Sequence, residues 1–145
     1  MLTRFWHYRA ILYDLLNAHH GQPTTKVHKD LVVDDNDVNR YIMSRCLSSL
    51  HIEHDIVNDG YAAIENALQY EYNIIWMDIK MPVCNGLSAA YFLRNKCGYK
   101  GLIYGTTGFA DIYTNDMAMS AGMTGLITKP FDINAIKTIH EDYKI

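Results

Sequence analysis

The order of apolar and polar positions divides the chain in two. Up to about residue 28 there is one periodic segment, followed by the turn-rich polar run HHGQPTTKVHK. In that segment Phe5, Tyr8, Leu12, Leu15 and Leu16 recur near helical spacing, with Trp6 and Ile11 beside them. The spacing predicts an amphipathic helix of about four turns, too short to be a domain. From Lys29 onward, short apolar runs alternate with stretches of helical period. The runs fall at 31–33, 52–57 (broken by polar residues), 74–77, 102–104 and 126–127. The helical stretches fall at about 37–50, 60–70, 86–96, 111–121 and 132–143. Val38, Tyr41, Ile42, Arg45, Cys46 and Ser49 share one mostly apolar side of the first. Ile133, Ile136 and Ile139 do the same in the last.

Five strand–helix units in succession predict an α/β fold, a parallel sheet wound on both faces by right-handed crossovers. The expected division is a helix and linker over 1–28 and the α/β domain over 29–145. Open sheets of this kind bind ligands at the carboxyl ends of their strands. The first run ends in Asp34-Asp35, the third in Asp78, the fourth in Thr106-Thr107 and the fifth in Lys129. The second ends in VNDG, which reads as a turn. Three acids, a hydroxyl and an amine thus converge on one rim.

Composition narrows the function classes. At 145 residues and 49% apolar, the chain suits one domain with a real core. A net charge of −3 offers no broad basic field for nucleic acid or an acidic membrane. Cys46, Cys84 and Cys97 form no CxxC pair and read as reduced thiols of a cytoplasmic protein. No apolar run nears the ~20 residues a membrane helix needs. Arg4, His7, Arg9 and Asp14 interrupt the start too often for a signal peptide.

The stretch LVVDDNDVNR runs an apolar strand straight into adjacent carboxylates. Close carboxylates raise each other's pKa unless a cation joins them. All-oxygen donors select a hard ion, and Mg²⁺ fits. A carboxylate-bound Mg²⁺ beside a lysine and a hydroxyl can hold a phosphoryl group, and an Asp can itself be the nucleophile. Each element also has a plain structural reading: Asp35 or Asn36 as a helix cap, Lys129-Pro130 as a strand exit with Pro130 opening the last helix, Thr106 and Thr107 as strand residues.

Taken together, LVVDDNDVNR, IIWMDIKMPVCNG, GTTG and AGMTGLITKPF resemble the receiver domain of two-component response regulators, over roughly residues 29–143. The DDNDVNR stretch is most similar to receivers of hybrid histidine kinases and multistep phosphorelays. The resemblance implies a flavodoxin-like strand order 2-1-3-4-5. It implies that Asp78 takes a phosphoryl group from a phosphohistidine on a sensor histidine kinase or histidine phosphotransfer protein. Asp34 and Asp35 would seat Mg²⁺, Asp35 more directly, with Asp78 and the backbone carbonyl of Lys80 as further ligands. Lys129 would contact the phosphoryl oxygens, and the Lys129-Pro130 bond would be cis. The family's usual spacing to the lysine, and the small residue that normally follows, here Gly108, imply Thr107 as the switch hydroxyl; counting from Gly101 as the strand start favours Thr106. Met81-Pro82 and Gly86 match the loop after the acceptor. Leu126 departs from the family, which carries an aromatic three positions before the lysine. Lys80 and Phe109 flank the path of a hydrolytic water.

What the resemblance implies is a switch of protein–protein contacts with an unidentified output partner, not turnover of a small substrate. Two other readings stand beside it: a docking module independent of phosphorylation, and a phosphatase of the haloacid dehalogenase type. The latter normally shows DxD early in the chain and a cap region. Receivers that control transcription carry a DNA-binding domain after the last helix, and no room is expected for one before Ile145. His51 and His54, three apart on one predicted strand, are expected on opposite faces as edge residues. His19-His20 reads as linker and Cys84 as an ordinary loop thiol. Phe5, Trp6 and Tyr8 would form an apolar patch if exposed, so the first helix is expected to pack on the domain or pair two chains.

Overall fold

The computed structural model describes the backbone of residues 2–19 and 24–145 and the side chains of 9–18 and 24–145. In chain order its elements are α1 (Leu2–His19), β1 (Thr25–Lys26), β2 (Asp30–Val33), α2 (Asp37–Ser49), β3 (His54–Val57), α3 (Gly60–Gln69), β4 (Tyr70–Glu71), β5 (Ile74–Asp78), α4 (Gly86–Asn95), β6 (Leu102–Thr107), α5 (Ile112–Ser120), β7 (Gly125–Thr128) and α6 (Ile133–Asp142). The main sheet has the order β3-β2-β5-β6-β7, and every pairing is parallel. Counting only its own strands, this is the expected 2-1-3-4-5.

The sheet is covered on both faces, which is why its inner strands β2 and β5 are buried throughout and carry apolar runs, while the edge strand β3 is only partly buried and is broken by polar residues. On one face Leu31, Val33, Ile75, Met77 and Ile103 meet Ala63, Ile64 and Ala67 of α3, Ala89, Ala90 and Leu93 of α4, and Ala118 of α5. The alanines let those helices approach the sheet closely. On the other face Val32, Ile74, Trp76 and Ile127 meet Met43 and Leu47 of α2 and Ile136 of α6. Each helix after a main-sheet strand opens on a polar cap: Asn36, Asp59, Asn85, Asp111 and Asp132 accept from backbone N–H groups at 2.7–3.0 Å. Asn36 rather than Asp35 therefore caps α2. Pro130 does not open the last helix, because Asp132 caps it and Ile133 begins it.

Three local features differ from the sequence expectation. First, the polar linker contains β1, which pairs parallel with β4 in a separate two-stranded sheet. Two residues carry no periodicity, so this pairing had no signal. Second, α2 closes with an Ile52 N–H donating to Leu47 O at 2.9 Å, and His51 turns the chain at φ 59°. The second strand of the sheet thus starts at His54, and the two histidines do not share it. His54 Nε2 lies 2.7 Å from Ser44 Oγ. Third, α1 has 18 residues, about five turns, and lies on α3. Leu12 is buried in the main core, with Leu15 and Leu16 packed against it. Ile11 and Tyr13 remain exposed. The side chains of Phe5, Trp6 and Tyr8 and the His19-His20 pair lie outside the described residues.

One buried polar group was passed over in the sequence. Asp30 is fully buried at the start of β2. Its Oδ2 accepts from Trp76 Nε1 at 2.8 Å and lies 2.8 Å from His140 Nε2 of α6, while Oδ1 has no partner. The network ties the last helix to the two central strands. Its signal was an acid placed directly before an apolar run that leads into a buried sheet.

Candidate functional site

Parallel strands deliver their carboxyl ends to one rim, and the register sets which residues meet there. Val33 pairs with Met77, and Asp78 with Thr106. The next step beyond Val33 brings Asp34 beside Asp78. Asp34 is buried, its Oδ1 accepting from Asn36 N at 2.9 Å. Arg40 Nη1 donates to the Asp34 carbonyl at 2.8 Å and Arg40 also pairs with Asp37, so the end of DDNDVNR braces its beginning. Asp35 is exposed, and Asp78 is buried. One carboxylate oxygen from each of Asp34, Asp35 and Asp78 lies within 4.8 Å of the others. Among the described residues no other set of three His, Cys, Asp or Glu side chains gathers this way.

Lys129 enters from the end of β7. Its Nζ lies 3.0 Å from Asp78 Oδ1 and 3.1 Å from Asp34 Oδ2. The Asp34 Oδ2 contact is ionic only, since this buried oxygen accepts no hydrogen bond. Burial pushes the Asp78 carboxyl up to about 6. The hydrogen bond from Lys129 opposes that shift, and the charge of Asp34 adds to it. Burial of the Lys129 ammonium works to lower its pKa. The hydrogen bond to Asp78 and the charges of Asp78 and Asp34 outweigh this and hold it above the ordinary lysine value. Three carboxylates against the one ammonium touching them leave two negative charges uncompensated. An all-oxygen donor set, two of its acids buried and one oxygen without a hydrogen bond, fits a hard divalent cation.

Both threonines are buried. Thr106 faces Asp78 in the register and its carbonyl accepts from Ile79 N at 3.1 Å. The Thr107 carbonyl accepts from Lys129 N at 2.8 Å. The Thr107 hydroxyl donates to Phe109 O at 3.0 Å and accepts from Phe109 N at 3.2 Å, so it is held by its own loop. Open space surrounds the position a Gly108 side chain would take. The Lys129-Pro130 peptide is cis.

The loop after Asp78 is anchored at both ends. Lys80 N lies 3.4 Å from Asp78 Oδ1, Met81 is buried, and Gly86 N donates to Ile79 O at 3.0 Å. A Cβ on Gly86 would stand 2.2 Å from the Asp78 carbonyl, so only glycine allows α4 to start there. Leu126 has a packing reason to be aliphatic: its Cδ2 lies 2.6 Å from where a Gly105 Cβ would be, filling the space that glycine leaves. Phe109 and Lys80 are both exposed at the rim. Cys84 is buried, and burial, with the charge of Asp59 beside it, pushes its thiol up to about 11. This is the setting of an inert structural thiol. A groove of 710 Å³ between α4 and α5, lined by Leu87, Tyr91, Phe92, Tyr113 and Met117 among others, contains one acid, Asp116, and none of the rim residues.

The family profile of the response regulator receiver domain matches residues 31–141. The chain is 33% identical over 121 residues to the osmosensing histidine protein kinase of Saccharomyces cerevisiae, a match covering 79% of this chain and 10% of that protein. It is 34% identical over 110 residues to two-component response regulator 24 of Arabidopsis thaliana, covering 75% of this chain and 78% of the relative. The chain thus spans only a small part of the yeast kinase and most of the plant regulator. Among solved structures it is similar to the receiver domain of a sensor histidine kinase of Pseudomonas aeruginosa, determined with a magnesium ion coordinated in its active-site cleft. That match has a TM-score of 0.71 and 28% identity, and covers 83% of this chain and 98% of the other.

Proposed function

Because the chain belongs to the response regulator receiver domain family, we propose that it accepts a phosphoryl group on Asp78 from a phosphohistidine and thereby switches a protein–protein contact. The donor is a sensor histidine kinase or a histidine phosphotransfer protein. An Asp78 carboxylate oxygen attacks phosphorus, the P–N bond to the imidazole breaks, and an acyl phosphate forms. Asp34, Asp35, Asp78 and the Lys80 carbonyl would hold Mg²⁺, which would supply neutralisation of charge on the transferring group. Lys129 exchanges its Asp78 contact for a phosphoryl oxygen. The Thr107 hydroxyl releases Phe109 O and donates to the same group. Those two exchanges favour one of two arrangements of the β6–α6 side of the domain.

The observation that carries this reading is the Lys129 ammonium bridging two buried carboxylates on the rim, 3.0 and 3.1 Å away. A cation so placed stabilises the resting acids and is already in reach of a phosphoryl group on Asp78. The domain acts as a signalling module, modifying only itself. No helix among the described residues is long and apolar enough to cross a membrane, and the three cysteines are free. We propose a cytoplasmic location from its membership of a family of phosphorelay signalling domains, with residues 29–145 as the receiver unit and 1–28 as an appended segment.

The test is intact mass after incubation with Mg²⁺ and acetyl phosphate. One added phosphoryl group, absent in Asp78→Asn, is expected. An unchanged mass both with acetyl phosphate and with a phosphorylated histidine phosphotransfer protein would overturn the reading in favour of a docking module. Sustained turnover of a generic phosphate ester would overturn it in favour of a phosphatase. Thr107→Ala is expected to leave phosphorylation intact and abolish the accompanying conformational shift in amide NMR spectra. Loss of that shift in Thr106→Ala instead would move the switch to Thr106.

A further inference from the structure

The segment before the matched domain is built into the core through α3, whose first turn meets the acceptor loop. Leu12 of α1 belongs to the same buried cluster as Ala63 of α3 and Met81 and Cys84 of the loop after Asp78. A small cavity of 150 Å³ between α1 and α3 is lined by Ile11, Leu12 and Leu15 on one side and Asp59, Tyr61 and Glu65 among the residues on the other. Asp59 caps α3, and Gly60 follows it. A Cβ on Gly60 would stand 2.6 Å from the Cys84 carbonyl and 2.8 Å from its Sγ. The first turn of α3 is therefore in van der Waals contact with the loop, with no slack between them. β1 pins the far end of the same unit by pairing with β4, directly after α3. The appended segment thus holds α3 through α1 and the strand that follows it through β1, and the first turn of α3 meets the loop that carries Lys80.

We propose that α1 is a positioning element for the acceptor loop. Leu12 seated on α3, and Gly60 seated on Cys84, fix residues 79–85 in the arrangement that receives the metal ion. This rests on the proposed metal seat at Asp34, Asp35 and Asp78. Tightly packed neighbours transmit a displacement because the interior has no room to absorb it. With α1 undocked, α3 gains freedom at its first turn and the loop gains it too. Asp78, the last residue of β5, and Asp34, the residue after β2, are held at the ends of their strands and stay in place.

The experiment compares the full chain with Leu12→Ala and the stronger Leu12→Asp, and with Gly60→Ala, which wedges the α3–loop contact directly. Hydrogen exchange is read at the Cys84 and Gly86 amides, which donate to Pro82 O and Ile79 O. The Ile136 amide, on the other face of the sheet, serves as control. Mg²⁺ affinity is read by calorimetry. The Leu12 variants are expected to speed exchange at Cys84 and Gly86 but not at Ile136, and to weaken Mg²⁺ binding by about fivefold or more. Their effect is expected to be less than additive with Gly60→Ala, because both act through one contact. If exchange speeds up in α1 while the Cys84 and Gly86 amides keep their rates, the proposal is overturned. Equal loss of protection at Ile136 would also overturn it, marking a general loss of stability. Should Leu12→Asp fail to fold, Leu12→Ala decides. An unaltered chain that binds no Mg²⁺ would refute the metal seat, while the exchange rates still decide whether α1 governs the loop.

Discussion

Lys129 and Asp78, 51 positions apart in the chain, meet with 3.0 Å between ammonium and carboxylate. Asp34 stands on the other side of the same ammonium at 3.1 Å. Replacing Lys129 by Met leaves two buried like charges without their shared cation. The Asp78 carboxyl is then expected to titrate higher than about 6, since the hydrogen bond that lowers it is gone. Breaking a buried ion pair from one side costs about 3 kcal/mol or more. Carbon-13 NMR titration of the Asp78 carboxyl and urea unfolding at neutral pH measure the two effects. An Asp78 titration at or below that of the unaltered chain would contradict them.

The raised Asp78 pKa also sets a pH dependence of stability. Its folded value is about 6 against 3.8 for the unperturbed group. Between those values the folded chain holds a proton that the unfolded chain has lost, so stability falls as pH rises through this window. A shift of this size corresponds to a cost on the order of 3 kcal/mol, fully present above the folded pKa. Asp78→Asn is therefore expected to raise Tm at pH 7–8 in Mg²⁺-free buffer, with the gain vanishing near pH 4. Adding Mg²⁺ at pH 7 is expected to raise Tm of the unaltered chain more than that of Asp78→Asn. Scanning calorimetry across pH checks both, and a Tm gain that does not change with pH would contradict the first.

Gly86 decides whether α4 can begin where it does. In Gly86→Ala the new methyl carbon meets the Asp78 carbonyl at 2.2 Å, a backbone atom that no rotamer change can move. The expected cost is about 1–3 kcal/mol, as for other overpacked positions. Because the carbonyl belongs to the acceptor itself, the rate of phosphorylation by acetyl phosphate should fall too. A variant of unchanged stability would show that the start of α4 can move away freely.

The buried Asp30 carboxylate depends on His140 and Trp76. His140→Leu leaves it with the indole alone and, as the loss of one hydrogen-bond partner from a buried acceptor, should destabilise by about 1–3 kcal/mol. Replacing both Asp30 and His140 by Leu should cost less than the sum of the single changes, because both partners of the buried hydrogen bond leave together. The Trp76 N–H then remains unpaired, so the double variant stays below the unaltered chain by about 1–3 kcal/mol. Urea unfolding of the four chains closes the cycle, and additive losses would show that the pair is not coupled.

The sequence by itself determined the main sheet and its rim. Five apolar runs of strand length, each followed by a helical period, leave few topologies once crossovers are right-handed and both faces are covered. Asp34, Asp35, Asp78 and Lys129 were legible because each stands at a strand end, and parallel strands send all such ends to one side. The cap residues were legible only as a choice, between Asp35 and Asn36, because that choice rests on one backbone turn. Only the tertiary structure decided the rest, wherever a residue's role is set by a neighbour far away in sequence. Leu126 is aliphatic because Gly105 leaves a space for it, and Asp30 is tolerated because His140 arrives 110 positions later. β1 exists because β4 offers it an edge, and two residues have no period of their own to announce that. The place of α1 belongs to the same class: its apolar stripe predicted that something would cover it, and the packing of Leu12 on α3 supplied what.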